Sequence, residues 1–220
     1  MKSLIKVILI IALFFASTFL IARLTGFLTV DQIKGWLIAM KASSSIWVGV
    51  IVMLLLFADL FIAVPTMSLC ILAGYFLGYQ SGAAFAMAGM ILAGFVGYAL
   101  SYRFGDAILG LIIKKEKEKA DIVTNFKRYG FTMILLSRAT PILPEVTACL
   151  SGMTRMPFRR FALAWLISTT PYVLIATYSG SVSSLDNPKP AIITAIGISS
   201  VLWISWYLFS SRIKKPSNQS

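Results

Sequence analysis

Histidine is absent from this chain of 220 residues, cysteine occurs twice, and acidic side chains number only 8. Each scarcity closes a class of chemistry. Without histidine there is no HExxH zinc site, no Ser-His-Asp relay, and none of the commonest general base at neutral pH. Cys70 and Cys149 form no CxxC pair and stand in apolar surroundings, which points to neither a metal site nor a disulfide scaffold. No glycine-rich phosphate loop and no GxSxG elbow occurs, so nucleotide and serine hydrolysis lack support. Asp59 with Glu145 would permit aspartyl chemistry only if the two carboxyl groups met, and nothing in the sequence fixes them at that distance. The expectation is a protein that is not an enzyme and uses no metal and no other cofactor.

What the chain has in abundance is apolar surface. Hydrophobic residues make up 58% and charged residues 13%, and the mean hydropathy is +0.85, more than a soluble domain needs to fill its core. The fold class expected is an all-α integral membrane protein. Five apolar runs, Leu4–Leu24, Ile46–Val64, Ala83–Phe104, Phe158–Tyr178 and Ala191–Phe209, each approach the ~20 residues that cross a bilayer as helix. The first, behind Lys2 and Lys6, is longer than a signal peptide's apolar core and reads as an uncleaved anchor. Between the first two runs, Phe27, Val30, Ile33, Trp36, Leu37 and Met40 recur at helical spacing among polar residues, the pattern of an interfacial amphipathic helix. Gly82, Ala86, Gly89, Ala93 and Gly97 put small residues on one face of the third run, where another helix can approach closely. The domain division expected is 1–45 for anchor and interfacial helix, 46–181 for the membrane domain, and 182–220 for a last transmembrane helix and basic tail.

Two segments are apolar but too broken to span. Pro65 to Gly82 opens with proline and is punctuated by Gly74, Gly78 and Gly82; Phe131 to Gly152 carries Arg138, Pro141, Pro144 and Glu145 within eight positions. Both read as hairpins that enter the membrane and turn back. Side by side, "PTMSLCILAG" from Pro65 and "PEVTACLSG" from Pro144 share the proline, a hydroxyl three later and the cysteine five later, which would fit chance similarity or an internal duplication. Duplicated broken segments point to transporters built from inverted repeats, with the site where the breaks meet near the midplane.

Net charge is +12, and the excess marks loops facing an anionic cytoplasmic leaflet. No basic stripe interleaves with aromatics on a polar helix, so nucleic acid is not the expected partner. Lys114, Lys115, Lys117, Lys119, Lys127 and Arg128 place the central loop inside, as do Arg155, Arg159 and Arg160, and Arg212, Lys214 and Lys215 in the tail. The loop from Gly180 to Pro190 is left outside, so the two hairpins enter from opposite faces. The same count puts the amino terminus outside, in conflict with Lys2 and Lys6.

From Ile46 to Ser181 the chain resembles the DedA family, also called SNARE-associated Golgi or VTT-domain proteins, and within it the Tvp-type branch. The resemblance is carried by the proline-led segment to Ala73-Gly74 and Gly78, by Gly97-Tyr98 followed by Tyr102-Arg103-Phe104-Gly105, by Arg138-x-x-Pro141, and by Gly152-x-x-x-Met156-x-x-x-x-Phe161 with "TRMPFRRF". It implies paired re-entrant hairpins, residence in the cell's inner membrane, and movement of phospholipids or polyprenyl phosphates, with proton-linked roles argued for bacterial members. DedA proteins proper usually carry a second arginine three positions after the proline and acids near the first hairpin. Here Pro144 stands at that place, and Asp59 is the nearby acid.

The site expected is therefore Arg138, Glu145 and Asp59 with the breaking prolines Pro141 and Pro144, framed by Pro65, Gly74, Gly78 and Gly152. Ionisable residues at this depth are functional candidates, and the arginine fork suits a phosphate. Arg138 and Glu145 could instead pair and only fix the turn. Pro171 is expected to kink its helix while Ser168, Thr169 and Thr170 cover the freed carbonyls. The function expected is a membrane lipid transporter or scramblase acting on phosphate-bearing lipids. Alternatives are a proton-linked transporter of another small solute, or a scaffold using the small-residue face. Membrane lipids with anionic head groups are the partners expected; the oligomeric state is open.

Overall fold

A buried acid, not the end of the apolar run, stops the first long helix. The computed structural model describes residues 7–13, 16–17, 20, 35, 45–62, 64–112, 116–139, 143–183 and 189–214, and among them every regular element is a helix. α1 (Ser45–Ala58) buries Val48, Val52 and Leu56 at four-residue spacing. It spans 14 residues, about 21 Å at 1.5 Å per residue, less than the run Ile46–Val64 suggested. The reason lies just beyond it. Asp59 Oδ1 accepts a hydrogen bond from the Val64 N–H at 2.7 Å, which turns the chain out of the helix after Ala58, and Pro65 disfavours helical backbone at the residue before it. The amphipathic segment Phe27–Met40 falls, but for residue 35, outside the described residues. Of the first run, residues 7–13 are helical, and Val7 and Ile11 pack into the core.

α2 (Thr66–Leu77) and α3 (Tyr79–Ile112) meet at Gly78, whose φ of 77° is the left-handed conformation that glycine adopts without strain. The chain reverses there. A Cβ on Gly82 would sit 2.6 Å from the Ala73 carbonyl oxygen, so the start of α3 lies directly against α2. Farther along α3, Gly89 packs on Met53 and Leu56 of α1.

The second half repeats this order. α4 (Glu116–Leu136) runs into a 3-10 turn, Ser137–Ala139; α5 (Leu143–Met153) follows, then α6 (Phe158–Ser181) and finally α7 (Lys189–Lys214). Pro144 and Glu145 in the first turn of α5 suit a helix start, where no N–H is lost and a negative charge faces the dipole. Pro141 lies outside the described residues.

The halves interlock at two crossings. Gly74 of α2 faces the Thr177 backbone of α6, and Gly180 of α6 faces the Ile71 carbonyl of α2, each with a Cβ position 1.9 Å from that carbonyl oxygen. At the other crossing Gly152 of α5 faces Tyr98 and Tyr102 of α3, and Gly105 of α3 faces Met153 of α5. Such contacts matter because lipid removes the hydrophobic drive between helices and leaves close backbone packing to hold them. Among the described residues two helices are long and apolar enough to cross a membrane, over Tyr79–Gly105 and Phe158–Ser181, and α1, α2 and the stretch Ile192–Ser205 of α7 are shorter apolar helices.

Candidate functional site

Arg138 stands in the 3-10 turn at the end of α4, where the chain breaks before Pro144. Its Nη2 donates to Thr169 Oγ1 at 2.9 Å. Its Cζ lies 4.9 Å from the Trp165 ring centroid and 5.4 Å from that of Tyr172, within the ~6 Å reach of a cation–π contact. Trp165, Thr169 and Tyr172 follow the i, i+4, i+7 spacing of one face of α6, so a single helix face cradles the guanidinium. Among the described residues no carboxylate makes an ion pair with it, and its Nε is buried without a hydrogen-bond partner. The alternative in which Arg138 and Glu145 pair across the turn is not what the fold contains.

The acids meet each other instead. Asp59, 7% exposed, lies beside the Glu145 side chain at one cavity wall. Two carboxyl groups this close together can share one proton. Nothing in the order of residues foretells the contact. It arises because the loop after α1 and the start of α5 converge, and Asp59, Glu145 and Arg138 line one small cavity with Leu56, Met90 and Trp165 among its walls. Its volume of about 10 Å³ is close to the least that holds a water. A water there would be placed to meet the polar groups on its wall.

Trp165, Thr169 and Tyr172 were not among the residues expected. Thr169, completely buried, accepts from Arg138, and Ser168 Oγ donates to the Trp165 carbonyl at 3.1 Å. Ser168 is thus engaged elsewhere than at the carbonyl that Pro171 frees, and Thr169 serves as the acceptor for Arg138. Trp165 is fixed at both ends: its Nε1 donates to the Met90 carbonyl at 3.1 Å, and its ring fills the space that a side chain at Gly94 would take. One signal was available in the sequence. The offset that carries Pro65 onto Pro144 and Cys70 onto Cys149 also carries Asp59 onto Arg138.

The framing residues fall at the helix contacts described above. Gly74 and Gly152 lie at the two crossings, Gly78 at the reversal, and Pro65 at the start of α2. Pro144 is buried in α5.

The chain matches the family model of the VTT domain over residues 64–182, more than half its length. It belongs to the VTT-domain family, generally membrane proteins proposed as transporters or scramblases. No curated protein and no solved structure matches it. The matched stretch starts one residue before Pro65 and ends just after α6, so it holds Arg138, Glu145 and the residues around the guanidinium. Asp59 and α7 lie outside it.

Proposed function

We propose that the protein moves phosphate-bearing lipids, phospholipid or polyprenyl phosphate, across the cell's inner membrane. The observation that carries this reading is the state of Arg138. A guanidinium at bilayer depth costs about 2.5–3.5 kcal/mol on insertion scales, and this one is held by a hydroxyl and two rings, with no carboxylate among the described residues in ion-pair contact. A planar fork held in that way suits a phosphate that arrives and leaves. In this reading about five helices span the bilayer, and two opposed re-entrant hairpins, Pro65–Gly82 and Phe131–Gly152, bring their breaks together near the midplane. The repeated element order and the reciprocal glycine crossings support an inverted repeat. The charge of the carboxyl-terminal tail favours a cytoplasmic tail, and "TRMPFRRF" supports the Tvp-type branch.

A proton-linked version is favoured by one further observation, the Asp59–Glu145 contact, since a shared proton can be exchanged as a lipid phosphate enters. Hydrolysis fits the site poorly: a cavity of about 10 Å³ admits a water but no peptide. A scaffold has no use for a buried guanidinium. Reconstitution into liposomes with a panel of head-group-labelled lipids tests the reading. Flux of phosphate-bearing lipids that depends on Arg138 supports it, and liposomes no more permeable than protein-free ones overturn it.

A further inference from the structure

Between α6 and α7 lies a groove of about 410 Å³, within the roughly 300–1,000 Å³ range of small-ligand sites. Ser168, Pro171, Tyr172 and Ile175 line it from α6, and Gly197 and Val201 are among the residues lining it from α7. Among the described residues on its wall, Arg138 is the one that carries a charge. The same arginine also lines the small central cavity with Asp59 and Glu145. One cation therefore stands between the acid pair and the groove.

The groove has a direction. Arg138 touches Trp165, Thr169 and Tyr172, whereas Ile175 lies nearly a turn beyond Tyr172, so the cationic end is at Ser168 and the far end is apolar. From Ser168 to Ile175 is about two turns, or ~10 Å. Pro171 is exposed and Val201 is 63% exposed, which leaves the groove open along its side. Exposed Ile193, Ile196, Trp203 and Ile204 give α7 a lipid-compatible surface. A free phosphate would gain nothing from such walls.

We propose that this groove holds one acyl chain of a phosphate-bearing lipid, with the head group on Arg138 and the chain lying along α6 toward Ile175. The assignment rests on the transport reading of Arg138 and adds the path by which the lipid reaches it. One wall belongs to α7, beyond the matched residues 64–182, so the groove is not formed by the VTT domain alone.

The test uses the full chain in phosphatidylcholine vesicles containing a trace of phosphatidic acid with a diazirine on one acyl chain. Adducts are mapped by mass spectrometry after irradiation. They should concentrate on residues 168–175 and 194–201. A Cβ at Gly197 meets nothing within 4 Å, so Gly197→Phe grows into open space, and adducts there should fall about tenfold. Thr194→Phe fills the groove from its other end and should do the same; Gly197→Ala should not. Arg138→Ala should lower the signal to that of a diacylglycerol probe with the same chain and no phosphate. Adducts spread evenly over the lipid-facing helices and unchanged by both fillers would overturn the groove. Equal labelling by diacylglycerol and phosphatidic acid would overturn the head-group end. Flux at the wild-type rate in Gly197→Phe, with groove labelling lost, would remove the groove from the path and leave the transport reading intact. Groove labelling in a wild type without flux would leave the binding site standing and end the transport reading.

Discussion

Arg138 donates to Thr169 Oγ1 at 2.9 Å, and that bond, not a pairing with Glu145, ties the break after α4 to α6. A hydrogen bond to a charged group contributes about 1.5–3 kcal/mol. Thr169→Val removes the acceptor with little change of shape. It should lower the thermal midpoint in detergent, and adding Arg138→Ala to it should cost less than the sum of the single changes. Strict additivity would show that the two side chains act independently.

The glycine crossings set a second expectation. Gly74→Ala and Gly180→Ala each direct a methyl at a carbonyl oxygen 1.9 Å away, and neither the α2 nor the α6 backbone can yield without parting the helices. Overpacking of this kind costs about 1–3 kcal/mol, so both variants should unfold at lower temperature than wild type. Gly197→Ala, with open space around its Cβ, is the matched control. Equal midpoints for all three would mean that the crossing is looser than described.

Asp59 separates a structural from a protonic role. Asp59→Asn keeps an oxygen for the Val64 N–H and offers its own N–H to Glu145, whereas Asp59→Leu does neither. The asparagine variant should therefore fold like wild type while its lipid flux loses the pH dependence that a shared proton confers; the leucine variant should lose yield. An asparagine variant whose flux still varies with pH as wild type does would place the titrating group elsewhere.

Topology is checked by single cysteines treated with an impermeant thiol reagent in intact cells. Glu116→Cys and Phe158→Cys should be protected and Asp186→Cys modified. The reverse pattern would invert the orientation assigned from the basic loops.

Much of this architecture is legible in the residues, and the exceptions have physical causes. Apolar runs and their breaks mark helices because backbone in lipid must bond within its own segment, which is why the segments that hold Gly78 and Pro144 could be read as broken. The end of α1 could not. It depends on Asp59 reaching Val64, a local bond that hydropathy does not register. The cradle of Arg138 was hidden for another reason. Trp165, Thr169 and Tyr172 belong to a helix whose composition is ordinary, and they become a site only because the crossing of α2 and α6 and the break after α4 bring Arg138 onto that face. The contact of Asp59 with Glu145 likewise joins residues far apart in sequence. Only the pairing of the two broken segments, with the offset that links Asp59 to Arg138, hinted that the two breaks meet.

The role proposed for Arg138 is to hold the lipid phosphate, not to serve as the structural partner of Glu145. It is tested most directly by lipid flux in liposomes for wild type, Arg138→Lys, Arg138→Ala and the double variant Arg138→Ala with Glu145→Ala. Lysine keeps the charge and loses the fork, so flux should fall from wild type to lysine to alanine at comparable protein yield, with the arginine loss worth about tenfold or more. The double variant should be no more active than Arg138→Ala. A double variant that regains both yield and flux would show that the two charges merely neutralise each other, and would remove the phosphate role from Arg138.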